Sequence, residues 1–328
     1  MKKLLTYGEA INSGLDFCLK NLDSTIIIGQ GVDSVDGVFG TTKNLVNNYG
    51  KKRVLDFPIS ESLMTSASIG MANKGLRPVL VHQRIDFMMY SLDALINWMS
   101  IWRFKSGGES KLPIVIRALI GRGWGQGPQH SKPLYSMLTG IPGLKVVMPT
   151  TPYDAKGLII SSVLSNDPVL FIEHRSLYNL KEELPSKNYS INLNHERLRK
   201  KGNKLTIICL GDASLSVLNV IEENKYLSGK IEVIDLVSLN PLNLKKSINS
   251  IKKNKNFLII ESCWFSMALA HRIISIILNK INSIGIKLKK FPSIYTLPDS
   301  HTPASSMLEK KYYLNEKDIL RKIEKQIR

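Results

Sequence analysis

The chain has 328 residues and a mass of 36.8 kDa, with 45 Lys+Arg against 27 Asp+Glu and a formal net charge of +18. Hydrophobic residues make up 43%, enough to fill two domain cores, so the charge does not signal disorder. No apolar run nears the ~20 residues of a bilayer span, the N-terminus lacks a secretory apolar core, and Cys18, Cys209 and Cys263 are too widely spaced for a zinc site or disulfide framework. Secreted, membrane-spanning and zinc-finger classes are set aside, and a cytoplasmic location is expected.

Short apolar runs alternate with helical patterns, the mark of an α/β fold with mainly parallel sheets. Thr6 with Glu9 three residues on forms a helix-start box, predicting a helix over Thr6–Leu22. Strands follow at 25–29, 53–57, 78–82, 113–119, 144–149 and 168–174. Among the helices between them, Glu61–Lys74 carries small residues and Gly70, as expected for close packing on a sheet; Leu92–Phe104 reads as a buried helix and Pro152–Leu164 as another. The polar stretch 181–203 reads as a linker with one hairpin. A second α/β unit follows, with strands at 205–211, 231–236 and 257–262 and helices over Ala213–Leu227, Leu244–Asn254 and Ser266–Asn279. The expectation is two α/β domains, 1–180 and 204–328.

The charge is uneven. Residues 1–180 carry 19 basic and 13 acidic side chains, a net of +6, whereas 181–328 carry 26 and 14, a net of +12. Such an excess can face nucleic acid or a membrane, but the basic runs, such as LKKSINSIKKNKNF over 244–257, lack the interleaved aromatics of a nucleic-acid module. Solvated helix faces explain them as well, and neither nucleic acid nor membrane is expected as a partner.

An ordered series of segments carries more information. TYGEAIN (6–12) is followed by GQGVDSVDGVFGTTKNL (29–45), DFPISES (56–62), GLRPVLVHQRIDFMMYSLDALIN (75–97), SGG (106–108), PQHSKPLY (128–135), IPGLKVVMPTTPYDAKGLI (141–159), IEVIDLVSLNPL (231–242) and LPDSHTPASSMLEK (297–310). Together they resemble the beta subunit of the thiamine-diphosphate-dependent 2-oxo acid dehydrogenases, the pyruvate and branched-chain enzymes, and the corresponding half of transketolase. The resemblance implies a transketolase-like pyrimidine-binding domain followed by a transketolase C-terminal-like domain.

It also implies roles for particular residues. Glu61 matches the carboxylate that hydrogen-bonds the cofactor's aminopyrimidine and favours the tautomer acting as base. On its own it reads as an ordinary helix-start glutamate. Phe87 matches the aromatic residue packed on the aminopyrimidine, and His130, in a glycine-rich segment (123–131), matches the histidine near the reacting carbon. Gly211-Asp212-Ala213 with Asn240 has roughly the spacing of a diphosphate–metal motif but falls in the second domain, where Asp212 reads as a helix cap. The resemblance therefore implies that Mg²⁺ and diphosphate are held by a separate alpha subunit in an α2β2 heterotetramer, inactive without it. A monovalent-cation site made of backbone carbonyls is also common in the family and leaves no side-chain signature.

Two departures stand out. The segment VHQRIDF (81–87) places His82, Gln83 and Arg84 at a strand end, where substrate-contacting groups collect, and Arg84 suits a substrate carboxylate. An outward-facing strand-end charge is the alternative. The +12 after residue 180 is a poor match for the basic binding domain of a lipoyl acyltransferase core, and ESCWFSMALAHR (261–272) replaces a glycine-rich stretch. Two further readings follow: a split transketolase or another biosynthetic thiamine-dependent decarboxylase or ketol transferase, and, in a different class, a basic nucleic-acid-associated protein on a degenerate thiamine-binding scaffold.

Overall fold

The computed structural model describes residues 2–121 and 125–328. They form two compact units: residues up to 121 with 130–193 and 239–241, and residues 125–129 with 194–238 and 242–328. Both carry mainly parallel sheets, as the alternating pattern predicts.

In the first unit, β1 (Lys2–Thr6) leads into helix α1 (Tyr7–Asn21) through the capping box. Thr6 Oγ1 accepts from the Glu9 amide at 3.2 Å, and the Glu9 carboxylate accepts the Thr6 amide at 2.8 Å. Strands β2 (Thr25–Gly29), β3 (Val54–Asp56), β4 (Arg77–His82), β5 (Val115–Ile120), β6 (Lys145–Val147) and β7 (Val169–His174) follow. Their registers are parallel, in the order β6-β7-β5-β4-β2-β3, and a late strand, Ser238–Asn240, lies beside β6 to make seven. Strands β2, β5 and β7 are buried along their whole length, which explains their unbroken apolar runs. The amide of Asn240 fastens the late strand by donating to the carbonyls of Ile141 and Leu144. Helix α2 (Glu61–Asn73) follows β3, and α3 (Pro152–Leu164) packs on α1 at Gly14, where a Cβ would lie 2.4 Å from Ile159.

Three expectations need correction here. Gly70 faces open space, and a Cβ there would touch nothing within 4 Å, so close sheet packing does not account for it. Leu92–Phe104 is not one buried helix. Ala94–Met99 winds as a π-helix, a short helix follows at Trp102–Lys105, and Trp98, Ile101 and Phe104 stay exposed, Phe104 at 91%. The wider i→i+5 winding rotates side chains off the face that a 3.6-residue period assigns them. Finally, the polar stretch after residue 180 contains no hairpin: β8 (Lys181–Pro185) returns antiparallel to β1, while β9 (Glu196–Lys200) joins the second sheet.

The second unit contains β9, β10 (Leu205–Leu210), β11 (Ile231–Leu236), β13 (Phe257–Trp264) and β14 (Ser293–Leu297), with the late strand of the first sheet counted as β12. The order is β14-β13-β10-β11-β9, parallel except for β9. Helices α4 (Asp212–Glu223), α5 (Lys245–Asn254), α6 (Leu269–Ser283), α7 (Ser306–Tyr312) and α8 (Glu316–Ile327) complete it. Val217 and Ile221 of α4 and Ile319 and Ile323 of α8 meet Leu205, Ile207 and Ile260 of the sheet in one apolar core. Among the described residues, no helix is long and apolar enough to cross a membrane.

Candidate active site

The first unit's sheet changes direction around β2: the chain steps to β3 on one side, then to β4 on the other. In open parallel sheets, the carboxyl ends of strands at such a point form a ligand crevice. The residues singled out from the sequence leave those ends. Glu61 opens α2 shortly after β3; His82 ends β4, with Gln83, Arg84 and Phe87 following; His130 lies beyond β5.

Glu61 is half-buried in the first turn of α2, where the helix N-terminus favours a carboxylate. Its backbone is pinned from below. Ser91 Oγ donates to the Glu61 carbonyl at 2.9 Å, Thr65 Oγ1 donates to Ser91 Oγ at 2.9 Å, and His82 Nε2 lies 3.4 Å from Thr65 Oγ1. His82 is 1% exposed, its Nδ1 has no hydrogen-bond partner among the described residues, and burial pushes its pKa down to about 4. It is therefore a neutral packing element near pH 7.

Phe87 and His130 meet edge to face, with ring centroids 5.3 Å apart. One ion pair ties the segments carrying them: Lys132 Nζ donates to Asp86 Oδ1 at 3.2 Å. Burial pushes the Asp86 carboxyl up from the usual carboxylate range, with Lys132 opposing it, and Oδ2 is left without a hydrogen bond. Among the described residues, His130 Nδ1 and Ser131 Oγ are likewise buried atoms without hydrogen-bond partners. A carboxylate tied through Ser91 to the segment that carries Phe87, an aromatic face and an imidazole are thus brought together, with polar atoms nearby in sequence that have no hydrogen bond among the described residues. That donor set fits a flat heteroaromatic ring carrying nitrogen acceptors and amino donors.

Gln83 and Arg84 separate. Gln83 is exposed and donates to the Gln30 carbonyl at 3.2 Å. Arg84 is 3% exposed, and its guanidinium donates to the Gly121 carbonyl at 3.0 Å. Gly121 has φ +83°, and a Cβ there would sit 2.4 Å from the His174 ring, so only glycine fits. Arg84 thereby braces the residue that follows β5. Of the glycine-rich run 123–131, Gly123 and Trp124 lie outside the described residues.

Some buried groups escaped the sequence reading. Asp86 and Lys132 give no local signal, being 46 residues apart. Arg117 and Glu173 pair bidentately at 2.6 and 2.9 Å with both side chains fully buried, and the Tyr178 hydroxyl donates to the same carboxylate. A charge inside each of two apolar strands was the available signal. Asn240 of the apparent metal spacing spends its amide on the late-strand contacts described above, and Asp212 is the first residue of α4 rather than its cap. Among the described residues, no group of three His, Cys, Asp or Glu is placed to hold a metal ion.

Comparison with known families matches residues 3–181 to the transketolase pyrimidine-binding domain and 194–319 to the transketolase C-terminal domain. The beta subunit of acetoin:2,6-dichlorophenolindophenol oxidoreductase from Bacillus subtilis is 32% identical over 325 residues, 95% of this chain and 94% of that one. This chain belongs to the transketolase-like beta-subunit family. Beta subunits of the pyruvate dehydrogenase E1 component are also similar: that of Staphylococcus aureus is 36% identical over 78% of this chain and 79% of its own length. The subunit from Gracilaria tenuistipitata is 34% identical over 92% and 93%. Among solved structures, a split-gene transketolase described as an inactive beta4 tetramer aligns with a TM-score of 0.76 at 15% identity, covering 98% of both chains, a likeness of fold.

Proposed function

We propose that this chain is the beta subunit of a thiamine-diphosphate-dependent 2-oxo acid dehydrogenase, contributing the aminopyrimidine side of the site. The observation that carries the reading is Glu61, Phe87 and His130 gathered beyond β3, β4 and β5 in a chain whose relatives include pyruvate dehydrogenase beta subunits. When bound, thiamine diphosphate supplies the nucleophilic carbon and the electron sink for decarboxylation. Glu61 would hold a proton between its carboxyl oxygen and a nitrogen of the aminopyrimidine. Phe87 would pack on that ring and keep water from it, and His130 would exchange a proton through its unsatisfied Nδ1. Arg84 acts through Gly121 as a positioning residue. Diphosphate and Mg²⁺ belong in this reading to an alpha subunit, in an α2β2 assembly inactive without it. The +12 carried after residue 180 speaks against a basic acyltransferase domain as a further partner.

A second reading concerns the substrate. Arg84 is committed to a backbone carbonyl, which weakens the case for it as a carboxylate clamp, and a relative spanning 95% of the chain is named for acetoin, an uncharged ketol. The test for both readings is reconstitution with an alpha subunit, thiamine diphosphate and Mg²⁺. Turnover of pyruvate and of acetoin is followed with dichlorophenolindophenol as electron acceptor. Glu61→Gln should lower either rate by about 10²-fold or more. An unchanged rate would overturn the assignment, and the preferred substrate separates the two readings.

A further inference from the structure

A cavity of about 430 Å³ opens on the first unit, lined by residues from β1, α1, α3 and the segment after β8. Its cations are Lys3, Lys20 and Lys156, and its one carboxylate is Asp16, which already accepts a hydrogen bond from the Tyr49 hydroxyl at 2.8 Å. None of these residues belongs to the Glu61, Phe87 and His130 site.

Lys156 is the unusual member. It sits in α3 where that helix packs against α1, and is only 4% exposed. Among the described residues its ammonium makes no ion pair or hydrogen bond; its favourable neighbour is the Tyr189 ring, 5.8 Å from Nζ to the centroid. Burial holds its pKa below the ordinary lysine value, and the positive charge of Lys3 lowers it further. Its stem is packed away and its ammonium ends at the cavity, where a group with so little water around it is ordinarily accompanied by a carboxylate. Here the space beside it is a cavity carrying two more lysines, with the neutral polar side chains of Ser13 and Asn188 on its wall.

We propose that this cavity binds a small phosphate-bearing anion, with Lys156 as the contact on its inner wall and Lys3 and Lys20 closing over it from the rim. Two negative charges offset the net +2 of the four charged wall residues, and the volume suits a ligand of metabolite size. Flexible ammonium groups serve as point-charge donors to phosphate without needing a fixed fork.

The test uses the full chain and two probes, inorganic phosphate and glycerol 3-phosphate, titrated calorimetrically at constant ionic strength with chloride as control. Binding of either probe, with affinity reduced at least tenfold in Lys156→Gln and largely kept in Lys156→Arg, supports the site. The tighter probe tells free phosphate from a phosphate ester. Lys156→Gln removes an unpaired charge rather than creating one, so it should fold, and phosphate should raise the melting temperature of the parent chain but not of this variant. Binding no stronger than chloride, or binding indifferent to Lys156→Gln, would overturn the proposal and leave the lysine held by Tyr189 alone.

Discussion

In the second unit, the carboxylate of Glu261 on β13 accepts the backbone amides of Leu269 and Ala270 at 3.2 and 2.9 Å, at the start of α6. Glu196 does the same for Lys246 and Ser247 at the start of α5. Both buried charges are spent on helix N-termini, whose amides need acceptors in any case. In the first unit, among the described residues, His82, Asp86, His130 and Ser131 each keep a buried polar atom with no hydrogen bond; the second unit has such atoms as well, at Asn254 and Ser262, but Glu261 and Glu196 are not among them. Leaving such atoms unsatisfied costs stability, a cost that a bound ligand can relieve. Glu261 and Glu196 are spent on fixing helices, whereas His82, Asp86, His130 and Ser131 keep polar atoms in reserve.

The largest expected effect is a pH dependence of stability arising from His82. Folding lowers its pKa from 6.5 to about 4 through burial. The unfolded chain therefore takes up a proton first as pH falls, so the contribution is complete above pH 6.5 and lost between 6.5 and 4. Its size is about 3 kcal/mol. Urea unfolding at pH 7 and pH 4 should show a smaller pH difference in His82→Leu by that amount, and equal differences in both proteins would remove His82 from the account.

In the second unit, Glu261→Gln replaces a doubly accepting carboxylate with a weaker acceptor. A loss of about 2 kcal/mol in urea unfolding is expected, with the rate of the assembled enzyme unchanged. A loss of rate without a loss of stability would erase the contrast between the units. The smallest effect is on catalysis. Asp86→Asn should lower kcat about tenfold, about 1.4 kcal/mol in barrier, by loosening the segment that holds His130 against Phe87. Stability measured on the same preparation separates this from a purely structural role: a destabilised protein with an unchanged kcat would make the Asp86–Lys132 pair a simple brace.

What the sequence made legible follows from how local each feature is. The start of α1 was readable because Thr6 and Glu9 are three residues apart, and β2, β5 and β7 because burial on both faces demands unbroken apolar runs. Edge strands were not: β9 reads Glu-Arg-Leu-Arg-Lys, and nothing in that polarity names a sheet partner. The π-winding at Ala94–Met99 hid the true faces of its helix in the same way. For the candidate site, the ordered motifs singled out Glu61, Phe87 and His130. Their supports were not visible, because Ser91 beneath Glu61 and Lys132 beside Asp86 depend on how distant segments fold back.

The strand Ser238–Asn240 carries a consequence for how the molecule is made. It borders β6 in the first sheet, yet it is encoded after β9, β10 and β11 of the second. As the chain emerges from a ribosome at ~5–20 residues per second, the outer edge of β6 must wait seconds for its neighbour. A protein fragment ended at residue 193 would never receive that neighbour, and an open strand edge invites pairing with other chains. Genetic separation of the two units therefore has to carry this short piece of late sequence along with the first.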